Sequence, residues 1–130
     1  MNFLAVVVAA MVAFAGSAVW YVVFGKELAK VSPVFAELQA QTPSAWRMLA
    51  VFAGSLVLSF VVAFVVGLKE GITWISAVGI GCLLWLGLSA VQWVSSMVWE
   101  KVPLTMAAIH AGDWLVKLVI ISAIVGAWRR

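Results

Sequence analysis

Three ionisable side chains, His110, Asp113 and Lys117, interrupt an otherwise apolar run from Leu104 to Trp128. About eleven uncharged residues separate Asp113 from Lys101 on one side, and about eleven separate Lys117 from Arg129 on the other. If the run crosses a bilayer, both charges sit near its middle, at a cost of roughly 2.5–3.5 kcal/mol each. The ten Leu, Ile and Val residues of the run offset this by about 0.3–0.6 kcal/mol apiece, so the helix is marginal alone and needs partners. Intramembrane charges face a bundle interior or a water-filled cavity, where they bind protons, ions or polar headgroups. At 3.6 residues per turn, positions i, i+3 and i+7 fall within an arc of about 60°. Asp113 and Lys117 also form an acid-before-base pair at i, i+4, the favourable order. Two readings follow: mutual neutralisation that fixes helix register, or a titratable site for a proton, an ion or an amphipathic molecule.

The preceding apolar run carries a matching seam. Trp85, Ser89, Gln92, Ser96 and Trp99 recur every three or four residues and share one helical face. A short turn at 100–103 makes the two runs an antiparallel hairpin. Counting outward from it sets His110 level with Gln92, Asp113 with Ser89, and Lys117 with Trp85. The faces are expected to meet, with Gln92 or Ser89 bonded to Asp113 or His110 and Trp85 stacked on Lys117 as a cation–π contact. The competing fates are serines bonded back to their own helix and a Trp85 that packs on lipid or core.

These residues need membrane-spanning elements to position them. Of 130 residues, 66% are hydrophobic and 10% charged, against about 45–50% and about 25% in soluble domains. Mean hydropathy is +1.18. That balance excludes an ordinary soluble enzyme, a disordered chain and a nucleic-acid binder. Uncharged runs long enough to cross a core of about 30 Å predict transmembrane helices over about 3–24, 43–68, 72–98 and 104–128. The expected fold is all-α, an integral membrane four-helix bundle forming a single transmembrane domain over 1–130. Ser32-Pro33 reads as an N-cap and first helical position, so 33–41 is either a short interfacial helix or a plain surface loop. Thr42-Pro43 repeats that signal at the start of the second span. Ala13-Phe14-Ala15 imitates a signal-peptide cleavage site. The absent basic n-region and the apolar run onward to Trp20-Tyr21, placed at the membrane interface, predict a retained helix.

Small residues mark where helices approach. The rows are Ala5, Ala9, Ala13 and Ser17 on the first span, Ala77 and Gly81 on the third, and Ala108-x3-Gly112 with Ser122-x3-Gly126 on the fourth. Lys69, Arg129 and Arg130 fall on the side of the termini; Lys26, Lys30, Arg47 and Lys101 fall on the other. The near balance leaves orientation open and allows dual insertion. Cys82 stands alone in an apolar run, so no intrachain disulfide forms. One histidine, one cysteine and scattered carboxylates predict no metal site, and no cofactor motif is present. An enzyme is not expected; His110 and Asp113 would be its acid–base pair.

The chain resembles a family of small bacterial four-span proteins, the domain of unknown function numbered 1761. The likeness rests on Gly16, Trp20-Tyr21 and Phe24-Gly25-Lys26 in the first span, and on Leu84-Trp85-Leu86-Gly87 in the third. In the fourth it rests on Ala111-Gly112 and Gly126-Ala127-Trp128. The family pattern often has asparagine where this chain has His110 and tyrosine where it has Asp113, with a proline near Ala90 and Val91. The resemblance implies a four-helix fold in a bacterial cytoplasmic (inner) membrane and supplies no activity. The residues predict a small binding or transport protein for a proton, ion or amphipathic molecule. Its candidate site residues are His110, Asp113, Lys117, Gln92, Ser89 and Trp85. The alternative is a structural or accessory subunit whose polar stripe serves assembly. Expected partners are membrane lipid, a second copy in a homo-oligomer (dimer or higher) and a small amphipathic ligand, with no nucleic acid.

Overall fold

The computed structural model describes residues 1–42 and 44–128. Among them the chain forms five helices and no strand: α1 (Phe3–Val31), α2 (Pro33–Gln39), α3 (Ala45–Gly67), α4 (Trp74–Trp99) and α5 (Leu104–Ala127). All but α2 are long and apolar enough to cross a membrane, which makes this a multi-pass membrane protein with the expected all-α bundle.

Helix α1 runs past its expected end at residue 24. Gly25 does not stop it, because the glycine is buried against the Gln39 side chain of α2. The next turn carries a Glu27–Lys30 ion pair at 3.3 Å. Ser32-Pro33 ends the helix, since a proline ring disfavours helical backbone at the residue before it. Ser32 is accordingly extended, at φ −129° and ψ 100°. Its Oγ then accepts the N–H of Phe35 at 3.2 Å and caps α2, so a helix forms there and not a surface loop. At 1.5 Å per residue, α1 is about 44 Å long, roughly 14 Å more than a hydrocarbon core. Its charged last turns therefore stand outside that core.

Helix α3 follows Ser44; the expected start at Thr42-Pro43 includes Pro43, which lies outside the described residues. Helix α4 begins at Trp74, later than residue 72, because Thr73 caps it: its Oγ1 accepts the Ser76 N–H at 3.2 Å. Midway, Trp85–Ala90 winds as a π-helix.

Helix α5 is the hub. It packs against α1 and α4, and more lightly against α3, while α3 and α4 scarcely touch. Three of its contacts run through small residues. A Cβ on Gly81 would collide with Ser122 and stand 2.9 Å from the Leu118 carbonyl oxygen. Ala77 meets Gly126 in the same way one turn further on. Gly112 lies against the Trp20 ring, whereas Ala108, four residues before it, is exposed. On α1 the row Ala5, Ala9, Ala13 and Ser17 is buried throughout. Beside it Ser59 of α3 donates to the Val6 carbonyl at 2.8 Å. Met1, Leu68 and Trp128 line one hollow, so both described ends of the chain and the end of α3 share one side of the bundle. Arg129 and Arg130, counted on that side above, lie outside the described residues.

Candidate functional site

His110, Asp113 and Lys117 all lie on α5. Asp113 is 2% exposed, near the midpoint of the helix, and its Oδ2 receives Lys117 Nζ at 2.9 Å. One turn away, His110 Nδ1 lies 2.6 Å from the Tyr21 hydroxyl of α1. The same hydroxyl donates to Asp113 Oδ2 at 3.4 Å. Tyr21, His110, Asp113 and Lys117 thus make one continuous polar chain inside the bundle. Asp113 Oδ1 is buried and has no hydrogen-bond partner.

Aromatic residues frame this chain. Trp93 of α4 stacks on His110 at 5.0 Å between centroids and 13° between planes. Phe35 of α2 leans on Tyr21 at 6.2 Å. Two indoles brace α5 from opposite sides. Trp20 donates to the Ile109 carbonyl at 2.9 Å, and Trp85 donates to the Ala111 carbonyl at 2.7 Å. A helical carbonyl keeps a second lone pair for such a donor, so the backbone around His110 is held without breaking the helix.

The expected contacts with Gln92 and Ser89 do not form. Gln92 is exposed, and Ser89 Oγ is buried without a partner. Trp85 is spent on the Ala111 carbonyl; Lys117 makes its cation–π contact with Trp114 of its own helix, 4.6 Å from the ring centroid. The stripe therefore turns to α1 where α4 was expected. The counted register was nearly right, for Trp93, next to Gln92, sits at His110. The π segment changed the rotation. In a regular α-helix a four-residue row drifts about 40° per step, but the wider π turn winds that drift back. Ala77, Gly81, Trp85, Ser89 and Trp93 consequently all stay on the buried side of α4, and Gln92 turns away.

Sequence reasoning missed Tyr21, Trp20 and Trp93. The first two were placed at the membrane interface because α1 was expected to end four residues later. With the helix continuing to Val31, they lie about two turns further from its end than expected. Trp93 had a legible signal in the uninterrupted i, i+4 row from Ala77.

The remaining feature is a side groove between α3 and α4, floored by α5. It holds two adjoining hollows that share Leu58 and Trp114. One, about 220 Å³, is apolar except for Ser89 and Gln92. The other, about 230 Å³, is lined by Val51, Gly54 and Ser55 of α3 and by Lys117. Lys117 therefore joins the buried polar chain to the groove. Among the described residues, no cluster of three or more His, Cys, Asp or Glu could hold a metal.

Helices that are apolar on every side, a hub helix with buried charges and an absence of soluble mass among the described residues define a small multi-pass membrane protein. Within that class the chain belongs to the family described as protein of unknown function (DUF1761), whose model matches residues 4–126. No curated protein matches it, and no solved structure does.

Proposed function

We propose that this protein binds an amphipathic small molecule from within the membrane, with the ligand's chain in the groove between α3 and α4 and its polar end at the α5 stripe. Binding of this kind is the step that transport across the bilayer would share. The observation that supports it is the position of Lys117: its side chain is 12% exposed, lines the groove, and is held from behind by a fully buried carboxylate. A pair serving only to fix helix register needs no opening beside it. Each hollow falls below the usual ligand-pocket range of about 300–1,000 Å³, and joined they fall within it. Apolar walls with a few convergent polar groups are the common make-up of such sites.

The test is photolabelling in nanodiscs with a single-chain amphipath bearing a diazirine near the middle of its chain. Labels are expected on Leu58, Leu88 and Leu118, which line the more apolar hollow, and excess unlabelled amphipath should displace them. Labelling spread evenly over outward residues such as Val57 and Val91 would sink this reading. The stripe would then be an assembly device, and replacing Asp113 and Lys117 together should dissociate a homo-oligomer.

A further inference from the structure

The groove reading leaves the sign of the ligand open, and the charges around Asp113 decide it. Lys117 and Asp113 neutralise each other, and the other titratable groups facing Asp113 are Tyr21 from α1 and His110 from α5. Among the described residues, α3 and α4 bring only Ser55, Ser89, Gln92 and tryptophans to this region. A site at mid-membrane cannot hold a net charge without a large desolvation cost. An anionic ligand reaching Lys117 takes over the role of counter-ion, and Asp113 is left as a buried, unpaired carboxylate.

Resting on the proposed groove, we infer that the ligand is a single-chain anionic amphipath and that its binding is coupled to uptake of one proton by Asp113. The cluster is then neutral both empty and loaded: carboxylate with ammonium before, carboxylic acid with an ammonium–anion pair after. The polar chain supplies the route. With the proton of the neutral imidazole on Nδ1, His110 passes it to the Tyr21 oxygen as the Tyr21 hydroxyl hydrogen moves to Asp113 Oδ2. A proton from water enters at His110 Nε2, so histidine and tyrosine end neutral and Asp113 has gained one hydrogen. His110 and Tyr21 are both half-buried, which gives the entry point access that Asp113 lacks. The groove suits one chain, because its two hollows are small and share Leu58 and Trp114.

The experiment is titration of decanesulfonate, which stays ionised at all working pH values, into the protein in phosphatidylcholine nanodiscs. Protons taken up from weakly buffered solution are counted with a pH indicator. Close to one proton per sulfonate bound is expected, with none for decanol. Lys117→Gln should weaken sulfonate binding at least about tenfold, or about 1.4 kcal/mol, and more than it weakens decanol binding. Sulfonate binding without proton uptake would overturn the coupling and leave the groove intact. Equal binding of decyltrimethylammonium would overturn the anionic assignment. Displacement of the sulfonate by phosphatidylglycerol would make the occupant a lipid headgroup and overturn the single-chain assignment. No binding of any probe would remove the groove reading itself. The proton count is read on the unaltered protein, so it does not depend on a variant that inserts poorly. Tyr21→Phe separates the relay from the stoichiometry: uptake should slow in stopped flow while the final count stays at one, and an unchanged rate would exclude the route through Tyr21.

Discussion

The two halves of α5 are joined to their neighbours by opposite means. Toward its carboxyl end, Gly81 lies against Ser122 and Ala77 against Gly126, and backbones come close enough that a Cβ on Gly81 would stand 2.9 Å from a carbonyl oxygen. Toward its amino end, a phenol, an imidazole and three indoles stand between the helices; Trp20 and Trp85 donate hydrogen bonds and Trp93 stacks. Small residues exclude everything but dispersion contacts, which suits helices in lipid, where no hydrophobic force draws them together. Bulky polar residues specify position but leave unfilled space beside them. Lys117 stands at the junction of the two halves, so the groove it lines opens where the close packing stops.

Charge should separate the halves most strongly. Asp113→Ala leaves Lys117, its side chain only 12% exposed, without a counter-ion and is expected to cost about 3–5 kcal/mol, read from unfolding in detergent. Replacing both partners, Asp113→Leu with Lys117→Met, should fall within about 1 kcal/mol of the parent. Equal losses in the two variants would mean that the pair is not the organising element of the amino-terminal half. The close-packed half is tested by Gly81→Val, which overfills the seam and should cost about 1–3 kcal/mol. If it is tolerated, the helices are not in register there. The smallest effect compares neighbours on α4. Trp93→Leu removes the stack on His110 and should cost about 0.5–1.5 kcal/mol, while Gln92→Leu should stay within about 0.5 kcal/mol of the parent. The reverse ranking would restore the face expected of an unbroken α-helix.

Much of the site was legible because it lies on one regular helix. His110, Asp113 and Lys117 needed only the period of α5 to be placed on one side, and the Asp113–Lys117 bond followed from their spacing. The register of α4 against α5 was readable to within one residue, since both helices run from a short turn. What failed were inferences that crossed between helices. Gln92 was chosen over Trp93 because an unbroken α-helix was assumed, whereas the π segment keeps the i, i+4 row through Trp93 on the buried side. Tyr21 was left at the membrane surface because Gly25-Lys26 looked like an end, whereas the stop is Ser32-Pro33.

The amino-acid sequence by itself determined that this chain lives in a membrane, has four segments long enough to cross it and spaces an acid and a base one turn apart on the last of them. Hydropathy, length and helical spacing are properties of single segments, and each can be summed without knowing its neighbours. Only the tertiary structure decided that the stripe turns to Tyr21 of α1, that Trp93 and not Gln92 covers His110, and that Lys117 lines a hollow beside α3. Those outcomes depend on how helices rotate about their own axes when packed. A π turn or two further turns of α1 alters that rotation or depth without changing which segments cross the membrane.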